Sequence, residues 1–279
     1  MLFENISEFL QFSIATKNYL SEVNKKEFAR YYSSSIKNFD KYTSKNLEEQ
    51  SKEIGEHIIK NKNLKILDIG TGCGTEALWF AMNNARVTSI DVKPRRLKVA
   101  EERKQFLEEK FCLKLDLKFF VSDFFKFHKK YNSEPFDVIW LEQSYHHIEP
   151  REKLLPALSD LLKEDGYIFF SEANALNPFT QIYLFFYRMI GFKSIFKGYK
   201  TIDLWINSEG EKQLYGVERI TRKNTLKKEL KKNKFKIKSE KYFRVLPNKC
   251  EFRLFGFLEK LPPRIFPFIF SHYNVVAQK

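Results

Sequence analysis

The stretch "LDIGTGCGTEA", Leu67 to Ala77, crowds three glycines into the junction between an apolar run and an amphipathic segment, with a carboxylate, Asp68, just ahead of them. A turn this bare lets a ligand lie against the main chain, because no Cβ stands in the way. "KILDIG" reads as a buried strand and "EALWFAMNN" as a helix, so the glycines form a strand-to-helix turn. No Gly-Lys-Ser/Thr follows at the required spacing, which excludes a phosphate-binding P-loop. Gly70 and Gly72 match the first two glycines of the dinucleotide fingerprint. Asp91 ends the next strand about 20 residues on, where a ribose-binding acid belongs. The third fingerprint position, however, falls on Thr75, and the third glycine is Gly74, giving Gly-x-Gly-x-Gly. On the turn alone a nicotinamide or flavin ligand stays open, as does a purely structural turn.

Outward from the turn, short apolar runs alternate with amphipathic helices. The runs after the first are "RVTSID", "LKFFVSD", "FDVIWLE" and "GYIFFSEA"; between them lie segments such as "PRRLKVAEERKQFLEEKF" and "PREKLLPALSDLLKEDG". Strand–helix–strand alternation predicts right-handed crossovers and a doubly wound, mostly parallel α/β sheet. Residues 1–63 read as a helical cap, in which "ISEFLQF", "EFARYY" and "LEEQSKEIGEHIIK" space apolar residues by three and four, while "YYSSSIKNFDKYTSKN" is a polar connector. Residues 64–173 are the core. Residues 174–220 form an aromatic insertion, read as a lid with no strong strand. Residues 221–279 return to the core with the helix "TRKNTLKKELKKNKF" and a closing strand pair, "KIKSEKYFRV" and "HYNVVAQK".

Around the turn the acids repeat at strand ends: Asp91, Asp123 in "VSDFF", and Glu142 in "FDVIWLEQSYHHI". With Asp68, the three glycines and "LLKEDGYIFFSEAN" in this order, residues 64 to about 174 resemble the class I S-adenosylmethionine-dependent methyltransferases, especially the quinone and small-molecule branch. The resemblance implies a Rossmann-like sheet of seven strands with a C-terminal antiparallel pair, and S-adenosyl-L-methionine as cofactor. Gly70, Gly72 and Gly74 would pass beneath its methionine part, and Asp68 would orient the ammonium end. Asp91 would take the ribose diol, since a carboxylate offers two acceptor oxygens. Asp123 would accept from the adenine amino group with Phe124 beside the ring, and Glu142 would lie near the ammonium. Each acid has a plainer alternative, as a cap of its strand or helix.

Tyr145, His146 and His147 follow the fourth strand and would approach the transferring methyl. A histidine there can take a proton from a phenol, enol or carboxylic acid, or else pack in the core or cap the next helix. Glu172, Asn174 and Asn177 in "SEANALNPF" are candidates for orienting a polar acceptor group, or for holding a turn before Pro178. Tyr31 and Tyr32 can close over the cofactor or pack the cap. Glu218 and Arg219 read as a local ion pair.

Composition bounds the rest. A formal charge of +14, from 49 Lys and Arg against 35 Asp and Glu, favours anionic company, although Lys predominates and Lys reads phosphate less well than Arg. Cys73, Cys112 and Cys250 form neither a disulfide framework nor a zinc motif, which points to a reducing compartment and no metal, with Cys73 a small filler. The N-terminal stretch carries early acids and no continuous apolar core, unlike a signal peptide. "FTQIYLFFYRMIGF" is shorter than the ~20 apolar residues a span needs. A cytoplasmic protein is expected. The phenylalanines interleaved with Lys and Arg in "LFFYRMIGFKSIFKGY" and "FRLFGFLEKLPPRIFPFIF" form either a lid's own core or an apolar acceptor pocket with a basic rim. The pocket reading would suit a lipophilic or lipid acceptor and peripheral contact with an acidic membrane surface. Two alternatives stand beside a small-molecule methyltransferase. One is an RNA or protein methyltransferase, favoured by the charge but without an attached RNA module or an Asn-Pro-Pro-Tyr-type motif. The other is a non-catalytic cofactor-binding partner or sensor.

Overall fold

The computed structural model describes residues 2–37, 39–182, 220–245 and 258–279, together with the backbone of 202–206 and 212–217. The N-terminal cap holds α1 (Ile6–Thr16), α2 (Glu22–Tyr31), α3 (Ser33–Lys37) and α4 (Lys41–Lys60). Then come β1 (Lys65–Ile69), α5 (Thr75–Met82), β2 (Arg86–Asp91), α6 (Pro94–Phe111), β3 (Leu117–Val121), α7 (Phe124–Lys130), β4 (Phe136–Glu142), α8 (Arg151–Leu161) and β5 (Leu162–Ala173). The hairpin strands β6 (Ile202–Ile206) and β7 (Lys212–Val217), helix α9 (Lys223–Lys232), β8 (Lys236–Phe243) and β9 (His272–Gln278) complete the order.

Seven strands form one sheet in the order β3-β2-β1-β4-β5-β9-β8. β1 to β5 run parallel, and β9 lies antiparallel to both β5 and β8. The order reverses between β1 and β4, and that reversal opens a crevice at the carboxyl ends of the strands, where ligands settle in open α/β sheets. β8 runs antiparallel to β9, so its carboxyl end returns to the same edge.

Residue alternation explains which side chains reach that edge. Leu67, Ile69, Ile139, Leu141 and Phe170 pack on one face with Leu154, Leu158, Leu226 and Leu230. Ile66, Val87, Val138, Trp140 and Phe169 pack on the other with Phe9, Ile54, Trp79 and Phe80. Successive side chains point to opposite faces, so Asp68 follows Ile66, Asp91 follows Val87 and Glu142 follows Val138 and Trp140 onto the second face. His272 shares that face with Val276. The apolar residues below lock the register that delivers the polar ones to the rim.

Three expectations are corrected. The polar connector is largely helical: α3 occupies Ser33–Lys37, and α4 starts at Lys41 because Asp40 accepts from the Thr43 N–H at 2.8 Å as its N-cap. The last helix before β5 ends at Leu161; Leu162 already pairs with Phe136, and Asp165 turns the chain at φ +61° before the main register resumes at Tyr167. The insertion read as strandless carries the antiparallel β6–β7 pair. The alternation in "IDLWI" was masked by the aromatic residues around it. Residues 183–201, with most of the aromatic insertion, and Glu218, Arg219 and Cys250 lie outside the described residues. Among the described residues no helix is long and apolar enough to cross a membrane, and no group of three or more metal-ligating side chains is assembled.

Candidate active site

Gly70, Gly72 and Gly74 take φ values of +85°, +56° and +79°, a region where a Cβ is strained. Space is short as well. A Cβ on Gly70 would stand 2.7 Å from the Ser144 Cβ, one on Gly74 would stand 2.8 Å from the Ala100 Cβ, and one on Gly72 would run into the Tyr31 hydroxyl. All three positions therefore require glycine on two independent counts.

Beneath the turn, Asp91 is buried. Its Oδ2 accepts from the Gly72 N–H at 2.9 Å and its Oδ1 from the Lys93 N–H at 2.8 Å. Each oxygen has capacity left for a second donor, which suits a diol. Asp68 is buried beside Ser89, whose hydroxyl lies 3.4 Å from Oδ2. Burial pushes Asp68 up to about 7, with Glu76 and Asp91 adding to the rise and the Thr71 and Ser89 hydroxyls opposing it. Glu142 is held well above the usual carboxylate range by burial, then by Glu76, Glu172 and Asp68. Burial likewise raises Glu76. Crowded, desolvated carboxylates raise one another in this way because each ionised form penalises the next. Glu76, in the first turn of α5, went unnoticed in the sequence because an acid there reads as ordinary dipole compensation.

The cap closes on the same turn. Arg96 lies 4.6 Å over the Tyr31 ring, and the Tyr32 hydroxyl meets Thr75 Oγ1 at 2.5 Å. Arg103 is fully buried. It donates to the Cys73 carbonyl at 2.6 Å, Thr75 Oγ1 at 2.9 Å and Ser13 Oγ at 2.9 Å, with the rings of Phe9 and Phe28 about it. One guanidinium thus joins α1, α6 and the glycine turn. Nothing in "AEERKQFLEEKF" distinguishes it from the solvated charges on either side. Cys73 is buried, and its thiol is pushed up to about 12 chiefly by that burial, so it stays protonated.

After β4 the 3₁₀ turn Tyr145–His147 is organised by Glu172. Oε1 accepts from the Ser144 N–H at 3.1 Å and the Tyr145 N–H at 2.8 Å, while Oε2 lies 2.5 Å from His146 Nδ1. A carboxylate can only accept, so Nδ1 is the donor of this bond and Nε2 is left for another partner. His147, 4.0 Å from His146 by ring centroids, is driven down to about 3 by burial and then by His146, Lys93, Arg96 and Arg151. It is neutral at physiological pH. Backbone of β7 approaches this turn.

The remaining expected residues sit as follows. Tyr145 is fully buried, with Arg151 3.9 Å over its ring and its hydroxyl donating to Glu229 at 2.5 Å. Asn174, also fully buried, spends its amide on the Pro267 and Phe270 carbonyls at 2.9 and 2.8 Å, and Asn177 bonds the Phe268 and Ile269 carbonyls. Both asparagines therefore clamp the 267–270 turn. Asp123 caps α7, accepting from the Lys126 N–H at 2.9 Å, with Phe124 buried behind it.

The donor set fits a cationic nucleoside. Bare backbone, a diol-sized carboxylate and a cluster of acids meet at one point, and the buried Ser144 Oγ and His147 Nδ1 have no hydrogen-bond partner. A pyrophosphate would bring still more negative charge to a cluster whose acids already raise one another.

Comparisons with known proteins agree. The family described as "Methyltransferase domain" matches residues 60–236, well over half of the chain. The ubiquinone biosynthesis O-methyltransferase of Glaesserella parasuis is 33% identical over 110 residues, covering 39% of this chain and 45% of that protein. That of Pelagibacter ubique is 30% identical over 154 residues, covering 52% and 58%. The chain thus spans about half the length of these relatives. Among solved structures, a SAM-dependent methyltransferase from Archaeoglobus fulgidus superposes with TM-score 0.56 at 14% identity, covering 89% of this chain and 99% of that one. Magnesium protoporphyrin IX methyltransferase from Synechocystis PCC 6803 with bound SAH superposes with TM-score 0.54 at 14% identity, covering 92% and 95%. The chain belongs to the methyltransferase-domain family, and its fold is that of the class I S-adenosylmethionine-dependent methyltransferases.

Proposed function

We propose that this protein transfers a methyl group from S-adenosylmethionine to an oxygen of a small, lipophilic acceptor. The observation that carries the reading is the acid cluster of Asp68, Glu76 and Glu142 around a glycine turn whose Gly72 N–H holds Asp91. It favours a ligand with positive charge and a ribose over any dinucleotide.

When bound, the cofactor supplies an electrophilic methyl on a sulfonium; the protein supplies position and a dry site. Gly70, Gly72 and Gly74 admit the ligand to the backbone, and Asp91 fixes the sugar. Asp68 and Glu142 orient the ammonium end, while Asp123 and Phe124 border the adenine end beyond β3. His146 takes the proton of the acceptor hydroxyl at Nε2, and Glu172 stabilises the imidazolium from Nδ1. That division follows from the pair itself: the neutral, depressed His147 is the poorer base, and His146 has a carboxylate to share its charge.

The lipophilic acceptor is supported by the names of the ubiquinone-biosynthesis relatives and by exposed Phe179, Ile182, Ile265 and Phe268, the segments of Phe179 and Phe268 being joined by the Asn177 amide. The same face would meet an acidic membrane, and sedimentation with phosphatidylglycerol vesicles at low salt tests this; protein left in the supernatant removes it.

Calorimetry tests the central reading. S-adenosylmethionine and its demethylated product should bind, NADH should not, and Asp91→Ala should weaken both by on the order of 100-fold, the scale of two lost charge-assisted bonds. Heat with NADH alone would overturn it. A labelled-methyl screen of cell lipid, RNA and protein fractions then identifies the acceptor class.

A further inference from the structure

The exit of β4 is strained at one residue, and the strain aims the next. Gln143 takes a left-handed φ of +47°, uncommon for a residue with a Cβ and held only where the surroundings fix it. The β5 backbone fixes it here. The Gln143 N–H donates to the Ser171 carbonyl at 2.9 Å, and its side-chain amide reaches the same oxygen at 3.4 Å. Glu172 holds the next two N–H groups. Ser144 is thereby laid against the glycine turn. The point that a Gly70 Cβ would occupy is 2.7 Å from the Ser144 Cβ and 3.5 Å from its Oγ. Ser144 is 7% exposed, and its hydroxyl has no hydrogen-bond partner among the described residues.

Packing does not call for that hydroxyl. The close approach to Gly70 requires a small side chain at 144, and alanine would meet the requirement equally well. A buried hydroxyl without a partner instead costs stability. The turn beside it shows which kind of group the hydroxyl serves. The N–H groups of Gly70 and Thr71 both go to the Ile90 carbonyl, at 2.8 and 3.2 Å. That of Gly72 goes to Asp91 Oδ2 at 2.9 Å, and that of Gly74 to the Thr71 carbonyl at 2.9 Å. With these donors spent, the turn suits a ligand group that donates rather than an anion. Asp68 stands two residues before Gly70 on β1, and Glu142 two before Ser144 on the neighbouring β4. An ammonium carries three N–H donors, and two carboxyl groups leave one of them to be met.

We propose that Ser144 is a cofactor-binding residue whose hydroxyl accepts from the ammonium of S-adenosylmethionine over Gly70, alongside Asp68 and Glu142. A neutral acceptor completes the ammonium's partners without adding charge to a cluster already crowded with acids. The proposal rests on the methyltransferase reading and deepens it, by naming a residue that grips the amino-acid end of the cofactor.

Calorimetry on the full chain compares S-adenosylhomocysteine with its deaminated analogue, in which hydrogen replaces the ammonium, for wild type and Ser144→Ala. Ser144→Ala should bind S-adenosylhomocysteine on the order of 10-fold more weakly, the scale of one hydrogen bond to a charged group. Its affinity for the analogue should stay within about twofold of wild type. Its melting temperature without ligand should be no lower than that of wild type, because no bond within the protein is lost. A loss no larger for S-adenosylhomocysteine than for the analogue, or no loss at all, would overturn the proposal. If the analogue binds too weakly to titrate, the loss for S-adenosylhomocysteine supports the proposal when the melting temperature is not lowered and overturns it when it is. Should Ser144→Ala fail to fold by circular dichroism, Ser144→Gly, which also lacks the hydroxyl, takes its place. Misfolding of both makes the hydroxyl structural and overturns the proposal. Failure of wild-type protein to bind S-adenosylhomocysteine, read in the first titration, overturns the methyltransferase reading instead.

Discussion

The two halves of the carboxyl edge are made from the same sheet but assembled by different means. On the β2–β1–β4 side, Asp68, Asp91 and Glu142 reach the rim from one face, and burial makes Asp68 and Glu142 reluctant to ionise. On the β5–β9–β8 side, Glu172 is already committed to His146 and to the Ser144 and Tyr145 N–H groups. The acidic half recruits acids at strand ends, in phase with the apolar residues below. The other half is assembled from residues at strand margins and in turns, such as His146 and His272, where no periodicity announces them.

The sharpest way to break this comparison is at the boundary. His146→Ala should lower kcat by about 10²–10⁴-fold, the usual range for a lost general base, with cofactor affinity retained by calorimetry. Unchanged turnover would mean that the two halves share no proton transfer. Glu172→Gln should lower kcat by about tenfold or more with cofactor affinity retained, since His146 would lose the charged partner that orients it and stabilises its imidazolium. An unchanged kcat in a variant of lowered stability would make Glu172 merely a clamp of the turn.

Arg103→Leu probes the acidic half through its support. It leaves the Cys73 carbonyl, Thr75 and Ser13 without their donor, and should cost on the order of 3 kcal/mol in urea unfolding. Asp68→Asn gives the smallest effect and the clearest sign. The folded carboxyl titrates near 7 and the unfolded one near the ordinary value of about 4. Stability from this group is full below pH ~4 and declines as pH rises through 7. The asparagine variant should therefore gain stability relative to the parent between pH 5 and 8, by about 1 kcal/mol or more. A parallel pair of curves would show that Asp68 is not desolvated. His147 acts in the opposite sense below pH ~6.5, so only the difference between the two proteins is diagnostic.

Legibility followed the same divide. "KILDIG", "RVTSID" and "FDVIWLE" announce buried parallel strands because both their faces are covered, and Gly70, Gly72 and Gly74 announce a turn because nothing else fits. Arg103 was silent, since a buried guanidinium in a helix of Glu, Arg and Lys looks like its solvated neighbours. Ser144 was silent because its approach to Gly70 joins residues made adjacent only by the pairing of β1 with β4. Glu172 was recognised as a site residue, but its bonds to Ser144, Tyr145 and His146 depend on the β4–β5 register. The β6–β7 pair lay hidden in aromatic composition that suggests a helix as readily as a strand.

Tyr31 rests on Gly72 while Arg103 ties α1 to the carbonyl one residue further on. Entry to the turn is consequently not independent of the first thirty-odd residues: whatever lies on Gly72 must share that surface with a phenol or displace it. The seating of the amino-terminal helices is thereby part of the shape of the turn, since Tyr31 and Arg103 reach it from opposite sides.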